Sequence, residues 1–211
     1  MNKLQSGVFM NNKLKFTAMT FATIFAFGCS SPDIHDIDLK QALNITVNSI
    51  YTFEEQYGET FSTAAAQEGN QEQASVEAFL NFSDFLQSEY NQAEPRLDDF
   101  SVGVWPQTDA SLIAFSDINQ NGEWDDAAGE NALFMIEIDG ENSRVIATSN
   151  SGAVDEYRVS GSGFLEGYLI GSLLTRQRVA GVNTSNLATK KPITAAAARS
   201  RAGSGSYSRG K

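Results

Sequence analysis

The sequence predicts an α+β domain, on three observations. Between residues 39 and 90, two stretches place apolar side chains three and four residues apart, the spacing of one helix face. After Pro95 the spacing falls to two, the period of a half-buried strand. The connections between these later segments are short, which favours antiparallel neighbours over crossovers. The expected architecture is two N-terminal helices packed on an antiparallel meander of four or five strands, followed by a short glycine-spaced helix and a disordered tail.

In the first helical stretch Leu39, Leu43, Val47, Ile50 and Tyr51 form one stripe, with Gly58 near its expected end. A Gln/Glu/Ala-rich stretch separates it from Val76, Phe79, Leu80, Phe82, Leu86 and Tyr90, and Pro95 supplies the stop. Aromatic residues at helical spacing read as core rather than as a ligand pocket. Phe100, Val102 and Val104 then alternate with small or polar residues, and 111–115, 132–138, 144–148 and 154–159 read as further strands. The Asp139-Gly140 pair marks a hairpin between two of them.

Charge is distributed unevenly. All 26 acidic residues lie between Ser30 and Leu174, where the basic residues are Lys40, Arg96, Arg144 and Arg158. From Thr175 to Lys211 there are eight Lys or Arg and no acid. An acidic body with a basic interaction tail is the expected organisation.

Ahead of the body, Lys13 and Lys15 precede an apolar or small run from Phe16 to Gly28 that only threonines interrupt. This has the layout of a secretory signal and falls short of the roughly 20 apolar residues of a spanning helix. Residues 1–28 are therefore expected to be a signal peptide, with Met10 an alternative start. The run ends Ala26-Phe27-Gly28-Cys29-Ser30-Ser31, and Cys29 is the only cysteine. The segment Ala26–Cys29 resembles the lipobox of bacterial lipoproteins, in which a small residue precedes a cysteine that takes a diacylglyceryl group. That resemblance implies lipidation at Cys29, a lipidated tether over 29–37 and membrane attachment through the acyl chains, palmitate among them. Ser30, where aspartate holds many such lipoproteins at the inner membrane, implies the outer membrane and its periplasmic face. An ordinary signal peptide with an incidental cysteine is the alternative.

Within the acidic α+β domain of residues 38–160, one connection carries chemistry. It reads Asp117, Asn119, Asn121, Gly122, Glu123 and Asp125, with Asp126 and Glu130 beyond. It resembles the calcium loop of EF-hands and dockerins, D-x-[DN]-x-[DN]-G. Oxygen side chains at alternate positions converge on a hard cation, the glycine permits the sharp turn, and a later acid ligates directly or through water. The expected calcium ligands are Asp117, Asn119, Asn121, Glu123, Asp125 and Glu130. Ala128 stands where those loops place a bidentate glutamate, so Glu130 or Asp126 would have to substitute. Strands rather than helices flank the loop, and its carboxylates are few. A structural ion of modest affinity, ~10⁻⁴–10⁻³ M, is expected rather than a calcium switch. A polar loop closed by Asx-turns is the alternative.

Gly163, Gly167 and Gly171 recur every four residues in the expected helix 161–176, which suits close helix–helix contact and self-association or shallow membrane contact. Packing of that helix on the sheet is the other reading. The basic low-complexity tail, 177–211, is expected to bind lipopolysaccharide, anionic lipid or an acidic partner surface, or to fold back on the acidic body. No motif for nucleic acid accompanies its charge.

Catalytic sets are scarce. The lone His35 lies in the tether, and a single cysteine excludes intrachain disulfides and thiolate metal sites. Asp98 and Asp99 are adjacent, and neighbours on a strand point to opposite faces. The chain is thus expected to be a non-catalytic envelope lipoprotein with a calcium-stabilised periplasmic domain, serving binding or assembly. The alternative is a periplasmic hydrolase of envelope polysaccharide or peptide with a carboxylate-only site.

Overall fold

The computed structural model describes residues 37–67, 69–124, 129–160 and 163–204. The expected signal peptide and Cys29 lie outside the described residues, as do Asp125, Asp126 and residues 205–211. Asp38 starts the first helix, its carboxylate accepting the backbone N–H groups of Lys40 and Gln41 at 3.0 Å each. A helix start lacks internal partners for those groups, and a capping aspartate supplies them. Helix α1 runs Leu39–Ala65, past Gly58, where the apolar stripe suggested an end. Leu39, Leu43, Val47, Ile50 and Phe53 are buried, whereas Tyr51 is 45% exposed.

Helix α2 spans Gln71–Asn91 and buries Phe79, Phe82, Leu86 and Tyr90; Leu80, expected in its stripe, is exposed. The two helices pack together, with the Phe53 and Phe82 rings edge to face at 5.4 Å. Tyr90 Oη lies 2.6 Å from Thr46 Oγ1, which is itself 2.8 Å from the Ala42 carbonyl. The threonine has one proton and gives it to that carbonyl, so the phenol is the donor to Thr46. Burial pushes the Tyr90 pKa well above its ordinary value.

The strands are β1 Ser101–Pro106, β2 Leu112–Asp117, β3 Ala132–Asp139, β4 Arg144–Ser149 and β5 Val154–Arg158. They form one antiparallel sheet in the order β1-β2-β3-β4-β5, the meander expected from the short connections. Val104, Ala114, Phe134, Ile136, Val145 and Ala147 share the face packed in the helical core. Burying such side chains contributes about 1.5–3 kcal/mol each for the larger ones.

Both sheet edges are closed. On β1 the Asn91 amide of α2 donates to the Val102 carbonyl and accepts the Val102 N–H, each at 2.8 Å, and Gln87 accepts the Val104 N–H at 3.0 Å. On β5 the backbone of Val154 exchanges two hydrogen bonds with Ile193. Edges without such partners are templates for unwanted pairing.

Beyond the sheet lie α3 Gly163–Glu166, α4 Tyr168–Val179, α5 Thr184–Thr189 and α6 Ala195–Ser204. Two expectations are corrected by this part of the chain. The single glycine-spaced helix over 161–176 is broken at Gly167, whose backbone is extended at φ −65° and ψ 146°. Gly163, Gly167 and Gly171 therefore do not line one helix face. Residues 177–204, expected to be disordered, carry the end of α4, two short helices and the Ile193 bridge. No described helix is long and apolar enough to cross a membrane.

Candidate functional site

Asp117 ends β2 and is 4% exposed. One carboxylate oxygen accepts the N–H of Asn121 at 3.1 Å and the other that of Gly122 at 3.0 Å. Asn119 Oδ1 also accepts the Asn121 N–H at 3.0 Å, and Asn121 Oδ1 accepts the N–H of Glu123 at 2.8 Å. Three consecutive side-chain oxygens at alternate positions are thus turned toward the same short run of backbone. Gln120 and Gly122 adopt left-handed backbone, φ 59° and 73°. Glycine enters that region without steric cost, which is why it stands at 122.

Behind this turn, Trp124 lies on the Phe115 ring, centroids 6.3 Å apart and planes 28° apart. The loop closes where the Ser116 N–H donates to the Asn131 carbonyl at 3.0 Å. Glu130, next to that closing bond, is buried at 5% exposure, whereas the Glu123 side chain is exposed. Of the expected ligands, the fold therefore gathers Asp117, Asn119 and Asn121 in one turn and buries Glu130 at the far end of the loop. Asp125 lies outside the described residues. Among the described residues no three His, Cys, Asp or Glu side chains form a metal-holding group.

The donor set fits a hard cation in its chemistry. A carboxylate offers about four lone-pair sites and an amide oxygen two. Carboxylate and amide oxygens are the ligands calcium takes. Asp98 accepts the hydroxyl of Ser116 at 2.5 Å. Asp98 is buried and Asp99 exposed, so the adjacent pair does not present two carboxyls to one surface.

A second polar centre was not expected from the sequence. Arg144, 3% exposed, donates from Nε to Asp139 at 2.9 Å, from Nη1 to Glu156 and to the Lys190 carbonyl at 3.0 Å, and from Nη2 to the Leu187 carbonyl at 2.6 Å. Burial opposes its charge, but its hydrogen bonds to the Asp139 and Glu156 carboxylates, with their negative charges, outweigh that and raise its pKa. Lys190 pairs with Glu137 on the same sheet face. The segment around Leu187–Lys190 is thus fastened to the face of the sheet away from α1 and α2. Of the readings for the basic tail, folding back on the acidic body describes Lys190. The only hint in the sequence was that Arg144 is one of few cations in an acidic body.

Comparison with protein-family models, with curated proteins and with solved structures gives no match for this chain.

Proposed function

We propose that the chain is a non-catalytic cell-envelope lipoprotein, anchored by acyl chains on Cys29 at the outer membrane. Its acidic domain holds a structural calcium ion in the 117–130 loop and serves binding or assembly at that surface. One observation carries the calcium reading. The oxygens of Asp117, Asn119 and Asn121 are oriented together by amide hydrogen bonds around Gly122, while the buried Glu130 sits at the other end of the loop. A cation there would offset repulsion among carboxylates in a body that carries all 26 acidic residues. The anchor reading rests on the position of the only cysteine at the end of the apolar run.

Unfolding of the chain with and without 10 mM calcium tests the ion. For a dissociation constant near ~10⁻³ M, the expected stabilisation is about 1.4 kcal/mol. Asp117→Asn should abolish the calcium increment, and magnesium should not reproduce it. Equal stability in calcium and chelator overturns the metal. For the anchor, the mass of the mature protein should carry the acyl groups, and Cys29→Ala should release it from the membrane fraction. An unacylated mature protein sinks that part.

A further inference from the structure

The strands alternate in direction, so the starts of β1, β3 and β5 and the ends of β2 and β4 lie at one end of the sheet. Helix α1 starts at that same end. Gln41, in its first turn, donates from Nε2 to the Pro95 carbonyl at 2.6 Å, a few residues ahead of β1. Ile37 and Lys40 border one cavity with Ala153 and Val154, at the start of β5. Ile37 stands eight residues after Cys29, and eight residues span at most about 28 Å. An anchor on Cys29 therefore keeps this end of the domain close to a membrane surface.

Two large apolar side chains are exposed at this end. Phe100 and Ile118 stand one residue outside the paired positions Ser101 and Asp117 of β1 and β2, and are 49% and 39% exposed. Cations gather here too. Of the four basic residues between Ser30 and Leu174, Arg144 is buried and Arg158 pairs with Glu156. The other two, Lys40 and Arg96, are exposed at the end where α1 starts, and among the described residues neither forms an ion pair. Arg96 Nη2 donates to the Phe100 carbonyl at 2.9 Å, which sets the guanidinium beside that residue. Asp38, Glu94 and Asp99 are exposed nearby in the chain, so charge alone would not draw this surface to anionic lipid.

We propose that this end of the domain is a lipid-contact surface, with Phe100 and Ile118 entering the headgroup region of a phospholipid bilayer and Lys40 and Arg96 meeting lipid phosphates. Apolar side chains gain by leaving water there, and long cationic side chains reach phosphates while their stems stay on apolar surface. Two such side chains would hold a free protein only weakly. With Cys29 anchored the second contact is intramolecular, so a weak contact suffices. That contact rests on the acylated Cys29 proposed above.

Spin labels on Phe100→Cys, Ile118→Cys and Val179→Cys, each in the protein as isolated and bound to vesicles of phosphatidylethanolamine and phosphatidylglycerol, test this. An acylated Cys29 takes no label. Val179 is the control, 85% exposed and in α4, whose Gln177 donates to the Ile138 carbonyl at the opposite end of the sheet. Labels at 100 and 118 should become more accessible to oxygen than to a water-soluble nickel chelate, and the label at 179 should not. Phe100→Asp should abolish that signal at 118 and keep the thermal transition, because residue 100 is exposed. Labels at 100 and 118 that stay in water on an acylated, vesicle-bound chain overturn the surface and leave the anchor standing. A label at 179 in lipid overturns it as well, since the other end would then face the bilayer. The mass of the protein reads the anchor separately: an unacylated chain fails the anchor, and the surface with it unless the labels at 100 and 118 still report lipid.

Discussion

The Glu54 carboxylate accepts the backbone N–H of Leu169 at 2.9 Å across 115 residues of chain, and that of Tyr168 at 2.6 Å. A residue in the middle of α1 thus caps α4, whose own N-cap, Gly167, has no side chain to do so. The carboxylate is favoured there both as acceptor and as a negative charge at a helix start. Glycines make room for it on two sides: a Cβ at Gly58 would collide with its oxygen, and one at Gly167 would lie 2.8 Å from its Cδ.

Glu54→Ala is expected to lose about 1–2 kcal/mol of stability through the missing cap. Gly167→Ala displaces the same carboxylate and should cost a similar amount alone. In the Glu54→Ala background it should cost far less, because the clashing group is gone. Urea unfolding of both single variants and the double variant measures the coupling. Simple additivity would mean that Glu54 and Gly167 act separately.

Arg144→Met leaves Asp139 and Glu156 without their shared cation and two carbonyls without a donor. Breaking a buried pair from one side costs about 3–5 kcal/mol. Arg144→Lys should rescue little, since one ammonium cannot reach the four acceptors that the planar fork reaches. The variant should also free residues beyond Val182, so limited proteolysis should cut there first. An unchanged cleavage pattern would show that the arginine does not fasten the C-terminal segment.

Tyr90 makes stability fall at alkaline pH. Its folded pKa is raised above the unfolded value of 10.0, so beyond pH 10 the unfolded chain sheds a proton that the folded chain keeps. Unfolding gains from each pH unit there, by up to about 1.4 kcal/mol, and below pH 10 the group adds no slope. Tyr90→Phe should be about 1 kcal/mol less stable than wild type at pH 9, having lost the bond to Thr46. By pH 11 the gap should close or reverse. A constant difference between the two pH values contradicts this.

Much of the fold was legible because it is written in neighbours along the chain. The strand starts at 132, 144 and 154 coincide with those expected, since alternation of apolar and polar residues sets which face of a strand is buried. The stripe of α1 was readable for the same reason, although the helix runs on past Gly58 to Ala65. Its helix continues because the apolar spacing resumes in Phe61, packed against the core. The loop oxygens at 117, 119 and 121 were found from spacing alone, because their partners are backbone groups two to five residues on.

The sequence by itself determined the period of each element, the order of the meander and the oxygen-rich turn after Asp117, since all three follow from local periodicity and short loops. Only the tertiary structure decided which remote groups meet. Gly140, read as turn chemistry, is held at that position by α4, where an added Cβ would lie 2.7 Å from Leu174. Gly103 makes way for the Phe115 ring in the next strand. The glycine at 167 ends one helix so that Glu54 can start another, and the basic segment lies on the sheet because Arg144 and Glu137 hold it. These partners are tens of residues apart, and packing selects them from many chemically equivalent candidates, so no local pattern encodes the choice.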